Sequence, residues 1–264
     1  MKLLWVLTIL FAITVLPKGT LAVANGTVDE PHSRPWIAMV SASISLLEYQ
    51  YCAGILISLN YILTVASCFH TDSKYVQIHS LGTYLGVYNW DTLEGFVQMS
   101  GTIPINKVYQ HENFNATTFE NDIAIIELDI PARPIKGLVE IANLATEEDV
   151  QLGQVGRVSG WYYPIRESNQ GLSHGGEVTV VDNSVCQETY PSYAISENVI
   201  CASGYVAFCN GDQGTGLLIN DKVVGMGVGP KSVLVPTEQC PIIPNTYLYI
   251  PKYLDWIKAH SDLE

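Results

Sequence analysis

The chain has 264 residues, 48% of them hydrophobic, with 21 glycines, 15 tyrosines and six cysteines. That length supplies one large domain or two small ones with ample core material, and no low-complexity tract or short repeat interrupts it. A formal net charge of −13, from 26 acidic against 13 basic side chains, disfavours nucleic acid, heparin-like polymers and anionic membranes as partners.

The first element is a targeting segment. Lys2 forms a short basic start, Leu3 to Leu16 is apolar, and Thr20-Leu21-Ala22 offers small residues for signal peptidase. This predicts a signal peptide over residues 1–22, a mature domain over 23–264, and secretion to the extracellular space. The 14 apolar residues fall short of the ~20 that a membrane-spanning helix needs. Lys2 and Lys18 leave with the segment, so 11 basic residues face 26 acidic ones and the net charge becomes −15. Such a surface suits a basic protein partner or simply a soluble, monomeric chain.

From Ala38 to about Ile250 the pattern is short apolar runs broken by Gly, Asn, Asp and Pro every ten or so residues. Gly54-Ile55-Leu56-Ile57, Tyr61-Ile62-Leu63, Ile123-Ala124-Ile125-Ile126, Val178-Thr179-Val180-Val181 and Lys222-Val223-Val224 are examples. An all-β sandwich or barrel pair is expected. Only the end reads as helix, where Tyr253, Leu254, Trp256, Ile257 and His260 fit a 3.6-residue stripe.

All six cysteines lie beyond the signal segment, an even number suited to an oxidising compartment, and the count alone allows fifteen pairings. No Cys-x-x-Cys cluster occurs, and the six histidines form no ligand-spaced group. Disulfides are therefore expected, and no structural metal.

The most informative stretches follow in chain order. They are Val23-Ala24-Asn25-Gly26 with Ser33-Arg34-Pro35-Trp36, Cys52-Ala53-Gly54 running to Val65-Ala66-Ser67-Cys68, and Asn121-Asp122-Ile123-Ala124. After them come Val158-Ser159-Gly160-Trp161, Cys209-Asn210-Gly211-Asp212-Gln213-Gly214, Pro244-Asn245-Thr246-Tyr247 and Trp256-Ile257. In this order they resemble the trypsin/chymotrypsin-like serine peptidase family from Val23 to His260. The resemblance implies two packed six-stranded antiparallel β-barrels with a short C-terminal helix. It also implies disulfides Cys52–Cys68, Cys186–Cys201 and Cys209–Cys240, with a further family bridge, which would tie Gly156 to Ile219, absent at both ends.

The family's chemistry needs a hydroxyl nucleophile, an imidazole base and a buried carboxylate that orients it. By resemblance Asp122 matches the carboxylate, Ser67 stands at the histidine position, and Gln213 at the serine position. A carboxamide cannot be deprotonated to attack a carbonyl, and a serine has no accessible pKa near neutrality. The triad-equivalent positions are thus expected to be non-functional, with Gly211 and Gln213 keeping the shape of the oxyanion loop. His70, two residues past Cys68, reads as a surface-loop histidine.

The specificity-pocket equivalents are altered too. Ala207 offers no carboxylate for a basic substrate side chain, Phe208 brings a ring, Asn245 replaces a glycine, and Pro230 removes an N–H from the substrate-pairing edge. Asp212 resembles the family carboxylate that pairs with a newly formed α-ammonium group, and signal cleavage would create that group at Val23 directly. Asn25-Gly26-Thr27 and Asn115-Ala116-Thr117 are glycosylation sequons. The family's calcium loop maps to Val87 and Val97 with only Glu94 kept, so no metal or other cofactor is expected. The sequence thus suggests a secreted, inactive serine protease homologue of the kind known in arthropods, binding a protein as regulator, decoy or cofactor of proteolytic cascades. The alternatives are a hydrolase with residual or altered activity, with Ser67 as a relocated nucleophile, and a carrier of a small ligand in the cleft.

Overall fold

The apolar runs become strands with one set of side chains turned inward. In Ser80–Leu85 the alternation is strict: Leu81, Thr83 and Leu85 are buried, while Ser80, Gly82 and Tyr84 are partly exposed. The computed structural model describes residues 23, 25–43, 49–71, 74–75, 80–90, 92, 94–161, 171–193, 195–207, 211–228 and 243–264. The expected signal peptide, the Cys209–Cys240 bridge, Phe208 and Pro230 lie outside these.

The first sheet is antiparallel and runs, neighbour to neighbour, Gln98–Ile103, Ser80–Leu85, Ile37–Ser43, Tyr49–Leu56, Tyr61–Thr64, Ala124–Glu127, Val108–Gln110. Its two outer members are successive halves of one stretch, bent through the 3-10 turn Ile105–Lys107 after Pro104. The sheet therefore wraps into a barrel around Ile55, Leu63, Leu81 and Ile125, each fully buried. Burying one such aliphatic side chain contributes ~1.5–3 kcal/mol.

The second sheet closes on itself. His174–Val181, Val155–Gly160, Gly216–Ile219, Lys222–Gly227, Asn245–Tyr249 and Val199–Gly204 follow in order, and the last pairs back with the first. Thr27–Val28 adds to its outside along His174 and Gly175. Its core holds Val158, Val180, Leu217, Val224 and Tyr247. The larger core cluster joins the barrels, since Met226, Leu248 and Ile250 pack with side chains of the first sheet.

Disulfides Cys52–Cys68 and Cys186–Cys201 are present as expected, and no described cysteine is free. Where the further bridge is missing, Gly156 and Ile219 still touch: a Cβ on Gly156 would lie 3.1 Å from Ile219 Cγ1. The chain ends in the 3-10 turn Ile250–Tyr253 and the helix Leu254–Ala259, with Ile257 fully buried.

One expectation is corrected. Helix is not confined to the end, because Asn183–Thr189 is α-helical. It is seven residues long and buries only Cys186, so it leaves no apolar stripe in the sequence. Its signal is the N-cap: the Asp182 carboxylate accepts from the Ser184 N–H at 2.9 Å. No helix among the described residues is long and apolar enough to cross a membrane.

Candidate functional site

Three distant stretches meet at one corner. Ser67 lies on the 3-10 turn Ala66–Phe69, just past strand Tyr61–Thr64, and Asp122 lies just ahead of strand Ala124–Glu127. The two strands pair with Ala124 opposite Thr64, which brings their ends together. The Ser67 N–H then donates to Asp122 Oδ1 at 2.6 Å, with Ser67 4% and Asp122 1% exposed. Gln50 Nε2 donates to the Ser67 carbonyl at 3.2 Å. The loop at Gln213 arrives from the other barrel, and its carbonyl accepts from the Ala53 N–H at 2.8 Å. Ala53 adjoins Cys52, whose disulfide partner Cys68 follows Ser67.

Glycine makes this approach feasible. Gly214 has φ +86°, and a Cβ there would stand 2.1 Å from the Ala53 carbonyl oxygen. Gly211 also has positive φ, at 101°. The turn is fastened by Gly214 N–H donating to the Gly227 carbonyl at 2.9 Å and Thr215 N–H donating to the Asp212 carbonyl at 3.0 Å. The Thr215 hydroxyl also donates to the Ser159 carbonyl.

Gln213 does not simply project from this turn. Its Oε1 accepts a hydrogen bond from the Gly211 N–H at 2.6 Å. A backbone N–H presented by such a loop is a donor for a negatively charged oxygen. Here the chain's own carboxamide takes it.

Behind the loop, Asp212 is fully buried. Its carboxylate lies against Gly160, where a Cβ would come 2.1 Å from Oδ1. The Tyr247 hydroxyl is held strongly in its protonated form, first by burial and then by the Asp212 charge. Val23 is fully buried in the core of the second barrel, with Val158, Leu217 and Tyr247.

Near Asp122 the sequence reading missed two tyrosines. Burial pushes the Tyr193 hydroxyl up, and the Asp122 charge adds to it. Tyr253 is pushed up by burial, then by Tyr193 and Asp122, and its hydroxyl donates to Asn121 Oδ1 at 2.9 Å. Tyr193 lies in no motif, and Tyr253 was read only as part of the terminal helical stripe, so their approach to Asp122 from separate stretches was not legible. Gln50 was also missed, although it sits two residues before Cys52.

The other anticipated positions fall as follows. Ala207 is 1% and Asn245 6% exposed, and Asn245 Nδ2 donates to the Ile243 carbonyl at 3.1 Å. Tyr190 donates to the Pro244 carbonyl at 2.6 Å; burial pushes its pKa up to about 12, opposed by a hydrogen bond with Asn245. Val228, just before the segment with Pro230, is buried, and its carbonyl accepts from the Thr246 hydroxyl at 2.9 Å. His70 is not a free surface-loop residue. It is half-buried, with Nε2 2.7 Å from Gln110 Oε1 and its ring edge-on to Phe114.

Val87 is buried, Glu94 is exposed, and no described group of three His, Cys, Asp or Glu side chains is arranged to hold a metal ion. Asn115 is exposed, and its Oδ1 accepts from the Thr117 and Thr118 N–H groups at 2.9 and 3.2 Å. Asn25 is half-buried with φ +59°, and its Nδ2 donates to the Tyr205 carbonyl at 3.3 Å.

Known proteins resemble this chain in sequence and fold. A family model described as Trypsin matches residues 23–257. A trypsin of Tyrophagus putrescentiae is 31% identical over 232 residues, covering 80% of this chain and 72% of that protein. Trypsin eta of Drosophila erecta is 29% identical over 261 residues, 94% of this chain and 92% of that one. Among solved structures, the mouse serine protease neuropsin superposes with a TM-score of 0.68 at 23% identity, over 89% of this chain and 98% of its own.

Proposed function

The chain belongs to the trypsin family of serine proteases, and within it we propose a secreted member without peptidase activity, which binds a protein as regulator, decoy or cofactor of proteolytic cascades. The observation that carries the reading is the Gln213 carboxamide seated on the Gly211 N–H at 2.6 Å. By family resemblance that N–H would stabilise the oxyanion of acyl transfer, and a Gln213 side chain supplies no nucleophile in exchange. Ser67 supports the same reading. It stands where the resemblance expects an imidazole, and it meets Asp122 through its backbone N–H. Its hydroxyl brings no group that takes up a proton near neutrality.

The loop nevertheless keeps its order, and Val23 gives a reason. Release of residues 1–22 would leave an α-ammonium group on a buried residue whose core cluster includes Tyr247, the tyrosine that feels the Asp212 charge. Pairing the two would give the buried Asp212 carboxylate a cationic partner. The loop would then assemble without an activating cut. N-terminal sequencing of the secreted chain tests this, and a mature terminus other than Val23 removes it.

The activity is tested by treating the purified chain with a fluorophosphonate probe and a broad peptide library. No labelling and no hydrolysis are expected, whereas titration of the chain into an active family protease changes that enzyme's turnover in a dose-dependent way. Burst hydrolysis, or phosphonate on Ser67, overturns the reading.

A further inference from the structure

The first barrel carries an aromatic stripe on its outer face. Tyr49 and Tyr51 stack at 6.2 Å, Tyr51 meets Trp90 edge-on at 5.6 Å, Trp90 meets Tyr84 at 5.3 Å, and Tyr84 reaches Phe96 at 6.4 Å. Met99 lies opposite Tyr84 on the neighbouring strand. None of the six is buried. Tyr49 is 50%, Phe96 42% and Met99 48% exposed.

Small residues form the floor between the rings. Ser41 pairs with Tyr51 on one side and Gly82 on the other, and Ser43 lies between Tyr49 and Ser80. Five linked rings with an exposed methionine are an unusual surface for a soluble chain, and such patches mark interaction sites. The stripe also starts beside the candidate site. On strand Tyr49–Leu56, Gln50 turns to the Ser67 carbonyl, while its neighbours Tyr49 and Tyr51 turn to the stripe.

Charge selects the occupant. The stretches that carry the rings, 49–56, 80–90 and 94–103, and the strand 37–43 that floors them contain no Lys or Arg, and Glu94 stands exposed among them. With a net charge of −13 for the whole chain, a second copy and an anionic membrane are both repelled. A cationic side chain gains both from the acidic field and from the faces of tyrosine and tryptophan rings. We propose that this stripe docks an extended, Lys- or Arg-bearing segment of a protein partner, with basic side chains over Trp90 and Tyr84.

The inference takes from the proposed function only that the partner is a protein, and its test does not depend on whether the cleft is inert. A nona-arginine peptide is titrated into the full chain by calorimetry, beside nona-glutamate. Binding of the first only, weakening as salt is raised, is expected. The double variant Trp90→Ala, Tyr84→Ala should lose roughly tenfold or more in affinity. Tyr49→Ser, an exposed position that leaves the core intact, should weaken binding with an unchanged melting temperature. Substituting the acidic run Glu147, Glu148 and Asp149 by Gln, Gln and Asn should change little. Absence of binding, or binding that survives loss of the rings but not of that acidic run, overturns the proposal. So does concentration-dependent self-association abolished by Trp90→Ala, which would make a second copy the occupant. Peptide hydrolysis by a chain that still binds through the rings would sink the inactive reading and leave this one standing.

Discussion

The carbonyl of Gln213 and the N–H of Ala53 are joined by a 2.8 Å hydrogen bond, and with it a loop of one barrel is fixed to a strand of the other. Gly214, the next residue, lies against the carbonyl of the same residue, Ala53. The contact is backbone to backbone, so side-chain replacement at Gln213 leaves it in place.

The glycine is therefore predicted to be indispensable to folding. Gly214→Ala places a methyl group 2.1 Å from the Ala53 carbonyl oxygen at φ +86°. Strain at such a backbone position is about 1–3 kcal/mol before the clash is added. A loss exceeding about 2 kcal/mol in unfolding free energy, read from urea titration, is expected, and a variant as stable as the parent would refute the geometry.

Restoring the hydroxyl alone should not restore catalysis. Gln213→Ser frees the Gly211 N–H but supplies no base, and Ser67 offers none. Loss of nucleophile or base in a triad enzyme removes roughly 10⁶-fold in turnover. The single variant should remain unlabelled by fluorophosphonate within an hour-scale incubation, and rapid stoichiometric labelling would contradict this.

Removing the Cys52–Cys68 bridge should be felt strongly, because it pins the turn with Ser67 to the strand that receives Gln213. A paired Cys52→Ala, Cys68→Ala variant should lose ~2–5 kcal/mol. At this chain size that corresponds to a melting temperature lower by roughly 4–20 °C, measurable by scanning calorimetry.

Acid should loosen the C-terminal helix. His111 lies 5.2 Å from the Trp256 ring and 5.8 Å from Tyr253, and burial holds its pKa below the ordinary value despite the opposing Glu112 charge. His260 faces the same cluster, with Nε2 3.2 Å from Glu112 Oε1. A histidine whose pKa is depressed on folding favours the folded state fully above the unfolded value of about 6.5. That contribution is lost as pH falls through the lower folded value. Melting temperature should thus decline as pH drops below about 6.5, and His111→Gln should flatten the decline over that window.

The two sequons should differ. In a secretory host, Asn115 should carry a glycan: it is exposed, and its Oδ1 is held by Thr117 and Thr118. Asn25 should stay bare, because its Nδ2 is committed to the Tyr205 carbonyl. Amidase treatment should shift the parent and Asn25→Gln on a gel, and leave Asn115→Gln unmoved.

Much of the fold was legible because periodicity and cysteine placement are local signals. The runs at Tyr61, Ala124, Val178 and Lys222 all became strands. The two bridges within the described residues paired as the resemblance implied. What escaped depended on side chains meeting across distance. Asp29 is buried with Ser173 at 2.7 Å and Arg34 at 3.7 Å. Nothing in the spacing of residues 144 and 5 positions apart announces that network. The Gln213 carboxamide likewise turned back on its own loop through a choice of rotamer, which residue type alone does not dictate. His70 read as exposed because Phe114 and Gln110, which cover it, arrive from a separate strand and loop.

The second barrel has no first or last member, since Val199–Gly204 returns to His174–Val181. Most of its main-chain donors and acceptors are therefore paired around the ring, and where His174 and Gly175 face outward Thr27–Val28 already occupies the seat that strand-to-strand stacking would need. Along that edge, a molecule that grips this half of the protein meets side chains and loops, whose sequence can change while the ring beneath them stays as it is.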